Sequence, residues 1–378
     1  MAGNRNILHA KEVKNDEFYT RYEDIEAEIN AYYEYDHDVF RGKTVLCPCD
    51  DHEWSNFTKY FAVNFQRFGL KKLICTSYCK SAGNKQTTLL EFDSPFYDKE
   101  KHDTHGKLFI LTHDTDGSGV IDPNDVEFKG YLNGDGDFRS PEVCALRDEA
   151  DIIVTNPPFS LFREFIAWIR ESDKRFIVMA NKNAITGKEF FPLMMENKVW
   201  VGYTSLNGGR WMILPKDAEY ISKYAKKEGD GTYVLNVSGV CWFTNIEHGK
   251  HYEDLQLDTF ENNLRYNQKL KKRLEEYACD TYPRYDNFDA IDVPYVECIP
   301  RDYDGVMGVP ISFMDKYNPK QFEIIGMAKR GAGDPKLRSK IYTKEDYPNY
   351  SDLNSGPTIM VNGRLKITFP RILIRRRS

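Results

Sequence analysis

Asp151-Ile152-Ile153-Val154-Thr155-Asn156-Pro157-Pro158-Phe159 is the stretch on which the fold turns. A charged residue, three apolar ones and then Asn-Pro-Pro-Phe describe a buried strand that stops abruptly and turns outward. Pro158 forces its predecessor into an extended conformation, and neither proline has an N–H to continue a ladder. The carbonyls at this strand end therefore point out of the sheet. Ser160 is placed to cap a helix whose apolar positions Leu161, Phe162, Phe165, Ile166 and Ile169 recur at helical spacing. A strand-to-helix turn at the carboxyl end of a strand is where open α/β sheets put their ligands.

An Asn amide oxygen beside a proline carbonyl makes two neutral acceptors at a fixed spacing. That pair suits an exocyclic amine better than a hydroxyl or a carboxylate. Phe159 adds a flat face on which a planar base can stack. Asn156-Pro157-Pro158-Phe159 resembles the catalytic motif of the amino-group DNA methyltransferases, (Asn/Asp/Ser)-Pro-Pro-(Tyr/Phe/Trp), in the version typical of adenine-N6 enzymes. The same four residues occur in glutamine methyltransferases acting on proteins and in some RNA enzymes, so those alternatives stay open here.

A chain of 378 residues points to two domains, and an apolar share of 41% is enough for a real core. No stretch approaches the ~18 apolar residues of a membrane span. No apolar segment follows Met1-Ala2-Gly3-Asn4-Arg5-Asn6, so a secretory signal is not expected and a cytoplasmic location is. The eight cysteines show neither disulfide nor zinc spacing and read as buried thiols. The net charge of −6 is unevenly spread: residues 301–378 carry +7 and the remainder −13. A basic carboxyl-terminal region is a plausible phosphate-binding surface.

Asp16-Glu17-Phe18-Tyr19-Thr20 precedes a helix with Tyr22, Ile25, Ile29 and Tyr32 on one face, and Thr20 is a reasonable cap. Thr44-Val45-Leu46-Cys47 reads as a strand leading into Pro48-Cys49-Asp50-Asp51. A helix capped by Ser55, with Phe57, Tyr60, Phe61, Phe65 and Phe68 inward, then stops at Gly69. Lys71 to Tyr78 reads as the next strand. Asp114 to Asp125 places oxygens and a glycine as a calcium loop does. The strand-like Lys107 to Thr112 before it and Pro123 within it favour a polar hairpin turn, and no metal is expected. In Asn133-Gly134-Asp135-Gly136-Asp137-Phe138 two glycines let the backbone pass close to a ligand, and the carboxylate can accept from an amine. Arg175 to Ala180 reads as a further buried strand. Val199 to Tyr203, Arg210 to Leu214, Tyr233 to Val237 and Val240 to Asn245 suggest an antiparallel hairpin finishing a mostly parallel sheet. Trp211 and Trp242, in these strands, are candidates for the second face of an aromatic sandwich around a base, although core packing is the commoner role.

The cofactor segments are similar to those of the EcoRI-type adenine methyltransferases. The resemblance implies that Phe18, Tyr19 and Thr20 close over the methionine end of S-adenosylmethionine and that Asp137 and Phe138 hold its adenine. Most related enzymes have a glycine-rich loop after the first strand. Here Cys47-Pro48-Cys49-Asp50-Asp51 stands instead, as in the EcoRI type, which implies Pro48 and Asp50 at the cofactor, Asp50 for its ammonium. Related sites carry an acid after the second strand for the ribose hydroxyls. None is present, which leaves Thr76 or Ser77.

Lys269, Lys271, Lys272 and Arg273 lie in a helical segment and read as a solvated face. Met307 to Phe313, Gln321 to Gly326 and Arg371 to Arg375 resemble the carboxyl-terminal blocks of the same family, so the likeness runs nearly end to end. It implies a class I S-adenosylmethionine-dependent methyltransferase fold, α/β and Rossmann-like, over residues 1–250. A smaller target-recognition domain over 251–378 follows. The implied activity is adenine-N6 methylation of double-stranded DNA, with a companion restriction endonuclease as a further partner. The charge distribution makes Lys329, Arg330, Lys336, Arg338, Arg375, Arg376 and Arg377 the candidate DNA contacts. The rivals are an RNA or protein-glutamine methyltransferase, and a catalytically silent DNA-binding protein of the same fold.

Overall fold

The structure is a computed structural model and describes residues 18–50, 55–79, 96–214, 223–330 and 337–377; Asp16, Glu17, Asp51 and Lys336 lie outside them. In chain order the strands of the amino-terminal part are β1 (Tyr19–Thr20), β2 (Thr44–Cys47), β3 (Lys72–Thr76), β4 (Lys107–Leu111), β5 (Glu127–Tyr131) and β6 (Ile152–Thr155). There follow β7 (Arg175–Asn181), β8 (Trp200–Val201), β9 (Arg210–Ile213), β10 (Lys226–Lys227), β11 (Tyr233–Val237) and β12 (Val240–Thr244).

β2 and β6 are buried at every position, as parallel strands covered on both faces must be. They are neighbours in a sheet of order β5-β4-β3-β2-β6-β7-β12-β8. β3, β2, β6 and β7 pair in parallel, while β4 runs against β3, β5 against β4 and β12 against β7. From β2 the chain moves first to β3 on one side and only later to β6 on the other. The strand order thus reverses between β2 and β6, and doubly wound sheets bind their ligands beyond the carboxyl ends of the strands at such a reversal. Asp50 follows one of these strands and Asn156 the other.

The antiparallel finish differs from the expectation. Of the four segments, β8 and β12 join the large sheet, side by side at its edge. β9 and β11 pair with each other and, through β1 and β10, make a separate sheet of order β1-β9-β11-β10. Thr20 is consequently a strand residue and not a helix cap. Its hydroxyl donates to the Met179 sulfur, and the helix Tyr22–Tyr35 starts after Arg21 without a side-chain cap. Ser160 is not at the cap position either, which falls to Leu161. The Leu161 N–H bonds the Pro158 carbonyl in a tight turn, Phe159–Leu161, and the α-helix begins only at Phe162. Ser55 does cap Asn56–Val63 through the Phe57 N–H. The chain then breaks at Asn64, and the short helix Phe65–Phe68 ends on left-handed Gly69. Phe57, Tyr60, Phe61, Phe65 and Phe68 join Ile25, Ile29, Tyr32, Val45, Ile152 and Val154 in one core. Burying each such side chain contributes about 1.5–3 kcal/mol. All eight cysteines are free thiols.

The chain divides into two units, Met1–Lys182 with Val201–His248 and Asn183–Trp200 with Gly249–Ser378. The second contains β13 (Ile291–Asp292), β14 (Met307–Pro310), β15 (Phe322–Ala328), β16 (Thr358–Val361), β17 (Arg364–Ile367) and β18 (Arg371–Arg376). Its main sheet has the order β13-β14-β18-β15, and β16 and β17 form a separate ribbon. A buried ion pair joins β13 to β18 across β14: Arg371 Nε donates to Asp292 Oδ1 at 2.9 Å, and the Tyr285 hydroxyl donates to the same oxygen at 2.6 Å. No helix among the described residues is long and apolar enough to cross a membrane.

The loop after β5 is clamped to the end of β3 through glycine. Gly136 has φ +85°, and a Cβ on it would lie 2.1 Å from the Ser77 carbonyl oxygen. Gly134, the other glycine of this loop, has open space around it. The close approach at Gly136 is thus to Ser77, within the protein. Gly136→Ala is expected to lower stability by about 2–4 kcal/mol, through the unfavourable φ and the overlap together. Urea unfolding measures this, and an unchanged midpoint would contradict the clamp.

Candidate active site

Asn156 leaves β6 with its side chain oriented by one contact: Nδ2 donates to the Phe18 carbonyl at 2.8 Å. A carbonyl can only accept, so chemistry fixes which end of the amide faces it. Oδ1 is therefore turned the other way, and it is buried without a hydrogen-bond partner. A buried acceptor left unpaired costs about 1–3 kcal/mol, which a protein tolerates where a ligand supplies the donor. Pro157 is buried, and Phe159 is half-buried against the same core cluster as Phe18.

Phe18 is itself held from several sides. Tyr19 and Thr20 pair with Ile213 and Met212 of β9, and Asn56 Nδ2 donates to the Thr20 carbonyl at 2.8 Å. Asn56 was not among the residues expected from sequence. It follows the Ser55 cap, and no local pattern distinguishes it from any residue opening a helix.

At the end of the neighbouring strand β2, Asp50 is 7% exposed. Its Oδ1 accepts from the Ser55 hydroxyl at 2.7 Å, and its Oδ2 lies 2.5 Å from the Thr155 hydroxyl, which is also 2.6 Å from the Pro48 carbonyl. The Asp50 N–H donates to the Thr76 carbonyl at 2.8 Å. Asp50 thus ties the end of β2 to β6 through its carboxylate and to β3 through its backbone N–H. Sequence reasoning took Ser55 only as a cap and gave Thr155 no role. At the end of β3, Thr76 is completely buried and its hydroxyl is unpartnered, whereas the Ser77 hydroxyl accepts from the Lys107 N–H at 3.0 Å. Of the two candidates, Thr76 has the open hydroxyl.

Two orphaned polar atoms thus stand at the carboxyl ends of β3 and β6, the strands that flank β2, and one of them opens the Asn-Pro-Pro-Phe turn. The sequence profile described as "Adenine-specific methyltransferase EcoRI" matches residues 6–377. The chain belongs to this family. It is 39% identical over 328 residues to the type II methyltransferase M.EcoRI of Escherichia coli, covering 87% of this chain and 90% of that one. It is 32% identical over 378 residues to the type II methyltransferase M.MpnI of Mycoplasma pneumoniae, covering 98% and 97%. M.MgeORF184P of Mycoplasma genitalium is 31% identical over 377 residues, covering 98% of each. No solved structure matches. The activity of the chain is that of a DNA adenine methyltransferase.

Other expected residues of this methyltransferase are arranged less simply. Asp137 is forked by Arg139, whose N–H and Nε reach Oδ1 at 2.8 and 2.9 Å and whose Nη2 reaches Oδ2 at 2.6 Å. These bonds hold the carboxyl below its usual range, the Arg139 side chain first among the causes. The Phe138 ring is 2% exposed and packs edge-on against Phe165 and Trp168. Trp242 lies wholly in the core, and Trp211 is half-buried with the Lys226 ammonium 4.5 Å above its ring. Asp114, Asp116 and Asp125 do come together, with oxygens within 4.8 Å. The loop joins the antiparallel strands β4 and β5, and its carboxylates accept from Gly117, Gly119, Thr115 and Asp122 of the same turn.

Among the cations of the second unit, Lys329 donates to the Thr186 hydroxyl at 2.9 Å and Arg338 to the Asn354 carbonyl at 3.2 Å. Burial pushes the Arg338 guanidinium down. Arg377 Nε donates to the Pro319 carbonyl at 2.8 Å, and Arg376 Nε is buried without a partner. Arg330 and Arg375 are exposed.

The missing glycine of the first loop has a structural answer. Cys49 adopts φ +68°, the left-handed conformation for which glycine is the usual choice. A side chain there costs roughly 1–2 kcal/mol. Cys49→Gly should therefore keep methyl transfer and gain up to about 1 kcal/mol of stability, while Cys49→Val should lose both activity and stability. Thermal unfolding alongside a methylation assay separates the two variants. Equal midpoints would mean that the loop does not depend on this conformation.

Proposed function

We propose that this methyltransferase uses S-adenosylmethionine to methylate N6 of an adenine swung out of double-stranded DNA. The first 250 residues would form a class I cofactor-binding fold and residues 251–378 the recognition domain. The single observation that carries this is the buried, unpartnered Oδ1 of Asn156, turned away from the Phe18 carbonyl that holds the other end of the amide. The cofactor fits the residues present. The orphaned Thr76 hydroxyl lies at the end of the strand next to β2, where nucleoside ribose hydroxyls are met in doubly wound sheets. S-adenosylmethionine supplies a methyl group activated as a sulfonium.

Everything else is positioning by the chain. A base stacked in a duplex is out of reach, and extruding it costs about a few kcal/mol. Asn156 Oδ1 and the Pro157 carbonyl accept the two amine protons, and Pro158 stiffens the turn that presents them. Phe159 stacks on the ring. With both protons held, the nitrogen lone pair is turned toward the methyl group, and orientation supplies much of the rate. Phe18, Tyr19 and Thr20 cover the methionine end, and Pro48 and Asp50 flank its ammonium. Thr76 takes the ribose, while Asp137 and Phe138 border the adenosine end, Asp137 sharing its carboxylate with Arg139. Lys329, Arg330, Lys336, Arg338 and Arg375 to Arg377 face the phosphates in this proposal, with Arg330 and Arg375 the most available. A cytoplasmic location and a companion restriction endonuclease accompany it, in keeping with the type II designation of the relatives.

Asn156→Ala should lower the rate of methyl transfer by about 10²–10³ with only a modest change in cofactor affinity. Single-turnover methylation and isothermal titration measure the two quantities. A rate within about threefold of wild type would remove Asn156 from this role. Thr76→Val should act in opposite directions on two readouts. It removes a buried, unpaired hydroxyl, so the melting temperature holds or rises, while S-adenosylmethionine binds about five- to tenfold more weakly. Unchanged affinity would sever Thr76 from the cofactor.

A further inference from the structure

Asn156 follows directly on β6, and the two sides of that strand end are not alike. β2 and β3 lie on one side of β6, and Pro48, Asp50 and Thr76, the residues proposed above for the methyl donor, stand at their ends. The loop of Asp137 is fastened to the same side, through Gly136 against the Ser77 carbonyl. β7 and β12 lie on the other side. A methyl group delivered to an amine at Asn156 from the β2 side requires the rest of the acceptor to extend the opposite way, over the carboxyl end of β7.

Lys182 is the cation at that end. Val178 is level with Thr155, so Met179 is level with Asn156, and Lys182 lies three residues farther out, about 10 Å along the strand. Its backbone is held, because the Lys182 N–H donates to the Gly239 carbonyl at 2.6 Å, on the turn that leads into β12. Its stem lies along the same turn. Gly239 has φ +80°, and a Cβ on it would stand 3.5 Å from both Cγ and Cε of Lys182. The glycine is buried and the lysine half-buried. The ammonium nevertheless makes no hydrogen bond and no ion pair with any described residue. A covered stem with an uncommitted charge at its tip suits an anion. In an adenine nucleotide the amine and the phosphate stand at opposite ends, at a separation of that order. The anion that an extruded base carries with it is its own phosphate.

We propose that Lys182 is a positioning residue that grips a phosphate flanking the target adenine once the base has swung out, and so fixes how far the amine reaches toward Asn156. This rests on the duplex substrate proposed above and concerns a residue outside the set expected from sequence. Wild type, Lys182→Gln and Lys182→Arg test it. Sequencing with modified-base detection in a methylation-free host first gives the wild-type site, and duplexes containing it serve as probe. Lys182→Gln should reduce the slope of log K against log salt by about 0.9, the share of one phosphate contact. It should also slow single-turnover methylation about tenfold, and Lys182→Arg should restore both quantities. S-adenosylmethionine affinity and melting temperature should stay at wild-type values. A neutral methylphosphonate is then placed in turn at each of the two phosphates beside the target adenine. At one of them it should slow wild type as much as Lys182→Gln does, and slow Lys182→Gln no further. If wild type leaves DNA unmodified, the underlying function fails. If wild type methylates and Lys182→Gln keeps its rate and slope, the assignment of Lys182 alone fails. Losses that add at both flanking phosphates would place its charge elsewhere on the DNA, and a lowered melting temperature that Lys182→Arg does not restore would make the residue structural. Either result overturns the proposal.

Discussion

The hydrogen bond from Asn156 to the Phe18 carbonyl joins residues 138 positions apart in sequence, and the rest of the site depends on it. Net of water, such a bond contributes only about 1 kcal/mol to stability. Its consequence is directional. It holds the amide so that its acceptor end is presented unpaired inside the protein, which water or a free side chain would otherwise prevent. The Phe18 carbonyl is in place because β1 pairs with β9, and β9 is in place because β11 supports it on the other side. The small second sheet is therefore a bracket for one carbonyl group. Asn56 and Met179 brace the same segment from below, from a helix and from a strand of the large sheet.

The large sheet contributes the other half of the arrangement. Since β2 and β6 are neighbours, the residues that follow them meet across the reversal of strand order, and Asp50 is close enough for the Thr155 hydroxyl to bridge to it. Ser55 and the backbone of Thr76 complete the tie. A single buried residue, through its carboxylate and its backbone N–H, thereby fixes three strand ends relative to one another. The Ser77–Gly136 approach adds the loop after β5. Catalysis by orientation requires tolerances that flexible loops do not give, and here each loop is fastened near its root.

What could be read from sequence was local. The double proline marked the strand exit, Ser55 the helix start and Gly69 its stop, because each acts through its own backbone or that of a near neighbour. Thr20 and Ser160 have the chemistry of caps as well. Thr20 is drawn into a strand by a partner almost two hundred residues away, and Ser160 is displaced by the tight turn that the prolines impose. β9 and β11 had the pattern of strands but nothing in them said which sheet they would join. Asp137 is recognisable as a carboxylate near glycine, but its pairing with Arg139, two residues on, is set by how the loop folds. Sequence supplies the groups; the pairings that decide their state come from tertiary structure.

The same distinction governs how unpaired groups should be weighed. Trp242 Nε1 is buried without a partner too, as is Arg376 Nε, so orphaned atoms alone do not mark a site. Trp242 is wholly enclosed by the core, where a ligand has no route. Asn156 Oδ1 and Thr76 Oγ1 differ because both stand at the carboxyl ends of the parallel strands that flank β2, next to which the strand order reverses. Charge needs the same treatment. A net +7 over residues 301–378 includes Arg371, neutralised inside, and Lys329, Arg338 and Arg377, each donating to a protein oxygen. A cation helps to bind a polyanion to the extent that it is exposed and uncommitted. On that measure Arg330, Arg364, Lys366 and Arg375 outweigh the larger number of charges that the sum counts.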